Sequence, residues 1–191
     1  MKKYFAILTA TLLLFAFSGC TEGQAAETTA LAINAEDNAT ADVTMEDIVS
    51  NIEVCGHKIS LPFKAADLPD DFKIDENGSY ALLTDSTGFV MYYKGDEIAY
   101  VYCSGKCENS SDAVFTSICF GMFNPVPEIN IMGITRDSDY DYVTEKLGTI
   151  NFSSDKNELM YVFSNSNQVL IHFEDDTKKA INFLGVYYEE E

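Results

Sequence analysis

Three runs near the C-terminal end of the chain place strand-forming residues at alternate positions, and this pattern restricts the folds open to the sequence. They are residues 159–164, 168–173 and 179–186, with polar turns at 165–167 and 174–177 between them. An alternation with a period of two residues predicts strands that bury one face and expose the other. Because short polar turns join consecutive runs, we predict an antiparallel meander.

The alternation also predicts which side chains share a face of the sheet. These sets are Leu159, Tyr161 and Phe163, then Val169, Ile171 and Phe173, and finally Ile181 with Phe183. A helix is predicted before the meander at Ser138–Leu147, with Asp137 as its N-cap and Gly148 as its C-terminal stop. This helix carries an apolar stripe that a sheet would cover.

The first half of the chain repeats this order of segments loosely. A short segment at Lys64–Leu68 is followed by three predicted strands, 88–94, 97–103 and 114–120. We therefore predict an α+β fold of two tandem units, about 52–122 and 128–188, in which a helix precedes each antiparallel meander and the helices pack on the sheet. The alternative is that two ordinary meanders share a similar order without duplication.

A resemblance to a known family rests mainly on the segment around the predicted helix. Residues 131–135, which read IMGIT, an acidic spacer, Val143 and Leu147-Gly148 resemble the opening helix of the small assembly-lipoprotein repeat of the SmpA/OmlA type. The doubled form of that repeat is the fold of the β-lactamase inhibitor protein. Residues 59–63 with Asp67-Leu68 resemble the first unit of many lipoproteins of low-GC Gram-positive bacteria. The resemblance implies a nonenzymatic binding scaffold and assigns no functional residues.

The N-terminus has the three-part layout of an export signal. Lys2 and Lys3 precede an apolar run, residues 4–17, and Ser18-Gly19-Cys20 follows. This ending resembles the bacterial lipoprotein signal, which implies cleavage after Gly19, thioether lipidation of Cys20 and acylation of its new amino group. We therefore predict a signal peptide at 1–19 and a mature protein anchored by lipid to the extracytoplasmic face of the cell membrane.

The composition changes near residue 44. Residues 21–44 consist mainly of Ala, Thr, Glu, Asp and Asn, so they lack the apolar surface that would offset the entropy lost on folding. Aromatic and β-branched residues become dense after Met45. We predict a flexible acidic tether at 20–44 and a folded α+β domain at 45–191.

The charge of the chain argues against two classes of partner. The sequence holds 31 acidic and 12 basic side chains, which gives a formal net charge of -19, and Arg136 is its single arginine. Nucleic acid and anionic lipid surfaces both require clustered Lys and Arg. We expect no nucleic acid partner, and attachment to the membrane through the lipid alone.

Four cysteines remain after Cys20, and export would permit disulfides among them. They are Cys55, Cys103, Cys107 and Cys119. A local bridge could join Cys103 to Cys107, and Cys119 could instead face Cys103 or Cys55. We expect at least one structural disulfide and leave the pairing open.

The same cysteines supply an alternative function, a thiol-dependent or redox enzyme that uses Cys55 and His57 or the Cys103/Cys107 pair. Cys55 and His57 could form a nucleophile with its base, or part of a zinc site. The other histidine, His172, alternates with apolar residues on a predicted strand, where it would point to solvent. The sequence offers no third partner for such a site, no phosphate-binding glycine loop and no serine-nucleophile elbow. We therefore expect no catalysis and no cofactor.

Three aspartates imitate the start of a calcium-binding loop. Asp137, Asp139 and Asp141 have the spacing of its first three ligands, but Tyr142 stands where glycine is needed and Gly148 where the bidentate glutamate is needed. Acidic residues at the start of a helix explain the same carboxylates. We predict no metal site.

The aromatic residues suggest a binding surface. The chain has 11 Tyr and 13 Phe, and exposed tyrosines on a sheet can anchor a protein or glycan ligand at low entropic cost. The candidate surface comprises Tyr92, Tyr100, Tyr102 and Tyr161, with Tyr187 and Tyr188 as further members. The alternative is that most of these rings pack in the core or in cross-strand pairs.

Together these features predict a surface lipoprotein whose domain binds or scaffolds a protein of the cell envelope. Besides the thiol-dependent enzyme, a small solute- or glycan-binding lipoprotein is an alternative, although the domain is short for the usual two lobes. The sequence leaves the oligomeric state open.

Overall fold

Strands dominate our computed structural model, which describes residues 43–76, 86–121, 125–148, 157–175 and 177–189. Of the described residues, 47% lie in strands and 13% in helices, and one described helix has seven or more residues. The predicted α+β fold of two helix-plus-meander units with helices packed on the sheet is therefore wrong. The protein is mostly antiparallel β-sheet.

The described elements are two short α-helices, one 3₁₀ turn and eleven strands. In chain order the α-helices and strands are α1 (Met45–Val49), β1 (Ile52–Val54), β2 (His57–Ile59), β3 (Phe63–Lys64), β4 (Phe72–Ile74), β5 (Ser86–Tyr93), β6 (Asp96–Ser104), β7 (Val114–Phe120), β8 (Ile129–Ile131), α2 (Tyr140–Leu147), β9 (Glu158–Val162), β10 (Gln168–Phe173) and β11 (Ile181–Tyr187).

The strands form two antiparallel sheets. The large sheet has the order β4-β5-β6-β7-β11-β10-β9, with β3 also paired to β7, and the small sheet has the order β2-β1-β8. Strand β7 pairs with β6 and with β11, so it joins the two predicted meanders into one continuous sheet. In the small sheet β1 pairs with β8, which lies more than seventy residues later in the chain. Both pairings cross the boundary between the predicted tandem units.

The segment expected to open the first unit is not an α-helix. Residues Ala65–Asp67 form a single 3₁₀ turn, and Leu68 is already extended, with ψ 146°. Leu68 precedes Pro69, and the proline ring disfavours helical conformation in the residue before it. A single turn also forms too few hydrogen bonds to offset the backbone entropy that is lost when a helix nucleates. The units 52–122 and 128–188 therefore do not share a helix-plus-meander plan.

Helix α2 matches its prediction more closely. It begins at Tyr140 rather than Ser138, and its N-cap is Asp139 rather than Asp137. The Asp139 carboxylate accepts a hydrogen bond from the Tyr142 backbone N–H at 2.9 Å. This bond satisfies one of the backbone donors left free in the first turn of a helix.

Two-residue turns close two of the hairpins. Cys55-Gly56 joins β1 to β2, and Lys94-Gly95 joins β5 to β6, with φ values of 51° and 79° in the first turn and 52° and 97° in the second. Positive φ at both central residues is typical of the type I′ turn, whose twist matches that of the flanking strands. Glycine adopts this conformation without the steric penalty that a Cβ brings.

One hydrophobic core joins a single face of the large sheet, its inner face, to the small sheet and to both helices. Phe89, Phe115 and Phe120 are among its largest fully buried side chains. Burying a side chain of this size contributes about 1.5–3 kcal/mol relative to leaving it in water. The small sheet and α2 add a further set, namely Ile52, Val54, Ile59, Ile129, Ile131, Val143 and Leu147.

A β-bulge in β11 changes the predicted direction of one side chain. Phe173 pairs with Ile181 and His172 pairs with Phe183, so Asn182 is an extra residue on β11. An extra residue shifts the alternation by one position. Phe183 therefore lies on the side of the sheet opposite Ile181, and the prediction that these two residues share a face is wrong.

Candidate binding surface

The large sheet carries a second apolar cluster on its outer face, the face opposite the main core. All members of the cluster in the described part of the chain lie on strands β5, β6, β7 and β11, so residues of the sheet build it. The buried members are Val90, Tyr100, Tyr102 and Cys119, and the partly buried members are Tyr92, Phe183 and Tyr187. The cluster makes this face unusual, because a sheet with one face in the core commonly presents polar residues on the other.

Three of the four tyrosines singled out from the sequence meet on the outer face. Tyr100 and Tyr102 are only 6% and 4% exposed, whereas Tyr92 is partly exposed. The Tyr100 hydroxyl donates to Oε1 of Glu97 at 2.9 Å, and the Tyr92 hydroxyl donates to Oδ2 of Asp75 at 3.4 Å. These rings thus pack closely on the outer face of the sheet, and the hydroxyl groups of Tyr92 and Tyr100 are hydrogen-bonded to carboxylates.

Tyr161 does not join the other three. It pairs with Val169 on β10, belongs to the main core and is 1% exposed. In the described part of the chain its hydroxyl oxygen has no hydrogen-bond partner. Burial raises the pKa of this hydroxyl, and nearby Tyr140 adds to the rise. Tyr161 is therefore a core residue and lies on the wrong side of the sheet for the predicted surface.

The outer face is more accessible across β9, β10 and β11 than across β6 and β7. Met160, Leu170 and Phe183 are partly exposed there, and Val162 is 38% exposed. Leu170 lies in register between Met160 on one side and Gly185 on the other. Met160 and Leu170 occupy the outward positions of predicted strands, and apolar residues at outward positions are the sequence signal that could have indicated this surface. The sequence pattern did not indicate Phe183, because the alternation does not reveal the bulge that turns this side chain outward.

Tyr187 covers a glycine at the middle of the outer face. A Cβ atom on Gly185 would lie 2.9 Å from Cε2 of the Tyr187 ring, so glycine is what lets the ring lie across β11. The Cys119 thiol donates to the Tyr187 hydroxyl at 3.3 Å. Burial raises the pKa of Cys119 from its ordinary 9.0 to about 12, although the bond to Tyr187 lowers it. Cys119 therefore stays protonated near neutral pH and behaves as an apolar packing residue.

A histidine–carboxylate pair borders the accessible part of the outer face. His172 Nε2 lies 3.0 Å from Oε2 of Glu158 on the neighbouring strand. The His172 ring also packs edge-on against Phe183, with 5.4 Å between ring centroids. With Asp75 and Glu97, Glu158 gives this face three carboxylates beside its aromatic residues.

Cys103 and Cys107 form a disulfide, and Cys55 and Cys119 are free thiols. The Thr87 hydroxyl supports the bridged loop, since it donates to the Gly105 carbonyl at 3.3 Å and accepts from the Cys107 N–H at 3.2 Å. Cys103 belongs to the main core and Cys119 to the outer cluster. Cys103 and Cys119 therefore lie on opposite faces of the sheet, so Cys119 is not placed to pair with Cys103.

Cys55 and His57 are engaged in the hairpin rather than with each other. The His57 ring packs against the rings of Phe72 and Tyr93, at centroid distances of 5.4 and 5.8 Å. Burial, followed by the negative charge of Glu128, raises the pKa of Cys55. A catalytic cysteine needs a lowered pKa, so this environment acts in the opposite direction.

The three aspartates of the calcium-like pattern have separate local roles. Asp139 caps α2, Asp141 lies in its first turn, and Asp137 lies with Oδ1 3.6 Å from Nε of Arg136. Among the residues the structure describes, no group of three or more His, Cys, Asp or Glu is placed to hold a metal ion.

Cys20, the signal peptide and most of the predicted tether lie outside the described residues. Over the ranges that the structure covers, no helix is long and apolar enough to cross a membrane. No protein-family model, curated protein or solved structure matches this chain. The resemblance to the SmpA/OmlA-type repeat therefore stays a prediction, and the two-unit arrangement it implies is not the observed fold.

Proposed function

We propose that this chain is a lipid-anchored extracytoplasmic lipoprotein whose domain binds a protein of the cell envelope through its outer face. The observation that supports this is the second aromatic cluster, which the large sheet builds opposite its core. A sheet needs only one apolar face to form a core, so apolar residues on the other face call for a second contact. The domain would then act as a recognition or scaffolding module without catalysis of its own.

The proposed contact is centred on Phe183 and Leu170, where the outer face is partly exposed. The buried rings of Tyr100 and Tyr102 belong to the same apolar cluster as Phe183 and lie on β6, which β7 separates from β11. Aromatic residues near the centre of an interface commonly supply much of its binding energy when a partner excludes water from them. Phe183 is therefore the residue whose loss should weaken binding most.

Charge indicates the chemistry of the partner. Glu97, Asp75 and Glu158 lie beside the aromatic residues, and the chain as a whole carries a net charge of -19. A partner with apolar side chains flanked by Lys or Arg would match this face, and its charge would speed association at low salt. An acidic partner would be repelled.

The disulfide supports the proposed compartment. A bond such as Cys103–Cys107 persists in oxidising surroundings, which cytosolic proteins generally lack. Acyl chains on Cys20 would contribute about 0.8 kcal/mol per buried methylene, and more than one chain gives stable anchoring. The tether would then let the domain reach proteins near the membrane surface.

Photo-crosslinking in intact cells tests the proposed surface. A photoreactive phenylalanine analogue is placed in the full-length protein at Phe183 or Leu170, and at Tyr142 as the control. Tyr142 is 36% exposed and lies on α2, whose buried residues join the core on the inner face. We expect the same discrete protein adduct from the first two positions and none from Tyr142. Absence of adducts at both outer-face positions, or an equal adduct from Tyr142, would contradict the proposal.

Two further measurements complete this test. Mass spectrometry of the adduct identifies the partner, and a partner whose contact surface is acidic would refute the proposed charge match. Mass spectrometry of the mature N-terminus tests the anchor separately. An unmodified Cys20, or cleavage at another bond, would rule out lipid anchoring while leaving the binding surface to its own test.

A further inference from the structure

The histidine on the outer face is paired with a carboxylate directly beside the proposed contact. His172 on β10 lies in register between Glu158 on β9 and Phe183 on β11. Its Nε2 atom lies 3.0 Å from Oε2 of Glu158, and its ring packs edge-on against the Phe183 ring, with 5.4 Å between the centroids. One titratable side chain therefore contacts both a carboxylate and the aromatic residue at the centre of the proposed contact.

Apolar side chains adjoin this pair along both strands. Leu170 lies two residues before His172, Met160 lies two residues after Glu158, and Leu170 and Met160 are themselves partners in register. Residues two apart on a strand point to the same face and lie about 7 Å from each other. Physiological salt screens exposed charges over about 8 Å, which is slightly longer. A change in the charge of the pair therefore acts on whatever lies over these apolar residues.

The charge of the pair depends on pH. Histidine is the side chain that ordinarily changes its charge between pH 5 and 8, whereas carboxylates are ordinarily negative over that range. With a neutral imidazole the pair of His172 and Glu158 carries one negative charge, and with an imidazolium it carries none. The two side chains are 40% and 15% exposed, so water reaches the imidazole while the carboxylate is largely shielded. Charges that are partly shielded from water interact more strongly than fully exposed ones.

The other charged groups near His172 belong to residue types that do not change charge in the same pH range. On β9 the facing group is Glu158, and on β11 the facing residue is the uncharged Phe183. Glu174, two residues after His172, and Lys179, near the same end of the β10–β11 hairpin, are both exposed. Carboxylates and ammonium groups ordinarily keep their charges between pH 5.5 and 7.5. Within the described part of this hairpin, His172 is therefore the group that links the charge of the outer face to pH.

We infer that acidification weakens binding of the partner at the outer face, and that protonation of His172 is the event responsible. The inference rests on the proposed function, in which the partner carries Lys or Arg beside its apolar side chains. Near neutral pH the pair places one negative charge beside Phe183, which attracts a cationic group of the partner. Protonation of His172 cancels this charge, so the affinity falls as pH decreases through the range in which histidine titrates. By linkage, a bound cationic partner makes His172 harder to protonate by the same factor.

Photo-crosslinking at two pH values tests this inference. Detergent-solubilised membranes that contain the full-length protein, with the photoreactive phenylalanine analogue at Leu170, are irradiated over a dilution series near pH 7.5 and near pH 5.5. The dilution that halves the adduct gives an apparent affinity at each pH, and the ratio of the two affinities is compared between variants. We expect the affinity to fall about threefold to fivefold at the lower pH, the factor expected for one partly exposed ion pair. His172→Gln and His172→Asn carry no titratable group at this position, so their ratios should be about 1.

His57→Gln is the matched control, because His57 is the other histidine of the chain and lies on β2 in the small sheet. This variant should keep the pH dependence of the wild type. Circular dichroism at both pH values verifies that each variant is folded. The same pH dependence in the His172 variants as in the wild type, equal loss of it in His57→Gln, or tighter binding at the lower pH would overturn the inference and leave the binding surface intact. No adduct at either pH would refute the surface itself, and the inference with it.

Discussion

The unpaired hydroxyl of Tyr161 gives the sharpest prediction about stability. The residue is 1% exposed in the main core, and its hydroxyl oxygen has no hydrogen-bond partner in the described part of the chain. A buried polar group that loses its bonds to water without replacement costs about 1–3 kcal/mol. Tyr161→Phe removes this group and keeps the ring, so the variant should be more stable than the wild type.

The expected gain is about 1 kcal/mol. Removing the oxygen atom also removes its close contacts with neighbouring atoms, each worth about 0.1–0.2 kcal/mol, and this loss offsets part of the recovered penalty. For a domain of this size, 1 kcal/mol corresponds to a rise of about 2–4 °C in the melting temperature. The pKa of Tyr161 is raised on folding, so ionisation of the unfolded tyrosine lowers wild-type stability above about pH 10. The advantage of the variant should therefore grow at alkaline pH.

Thermal and urea unfolding of the oxidised protein measure this difference. Tyr187→Phe is the matched control, because the Tyr187 hydroxyl accepts a hydrogen bond from the Cys119 thiol at 3.3 Å. The same chemical change should therefore leave Tyr187→Phe equal to or less stable than the wild type. A loss of stability in Tyr161→Phe, or the same gain in both variants, would refute the account of an unsatisfied hydroxyl.

The remaining predictions concern the disulfide, two glycines and a buried thiol. Loss of the Cys103–Cys107 bridge, by reduction or by Cys107→Ser, should cost about 2 kcal/mol in urea unfolding, because the closed loop has only five residues. Gly121→Ala should cost several kcal/mol, since its Cβ would collide with a backbone carbonyl, whereas Gly105→Ala has open space and should cost about 1–2 kcal/mol from its positive φ alone. Stability should fall from about pH 9 to pH 12 as the unfolded Cys119 thiol ionises first, and Cys119→Ala should reduce that slope in urea midpoints.

The strands of the large sheet were predictable because their alternation is strong and local. The predicted strands 114–120 and 168–173 coincide with β7 and β10, and the other four differ by a few residues at their ends. The small sheet was not predicted. Its strands have three residues each, and β1 pairs with a segment far along the chain, so no local pattern indicates the pairing.

The segment Cys55-Gly56-His57 has the residue types of a catalytic pair but forms a hairpin turn. A cysteine two residues before a histidine suggests a nucleophile and its base. In the structure Cys55 and Gly56 are the central residues of a hairpin turn, and His57 begins β2. A cysteine with φ 51° is uncommon, so a turn centred on Cys55 was not predicted.

The bulge at Asn182 links the fold to the proposed function. Under strict alternation Phe183 would share the inner face with Ile181, and the proposed contact would lack the ring at its centre. The extra residue moves Phe183 to the outer face beside His172, while the next residue, Leu184, fills the core at 1% exposure. The core therefore keeps its apolar side chain and the outer face gains an aromatic one. Because bulges often redirect a side chain at functional sites, this arrangement favours a binding role for Phe183 over a purely structural one.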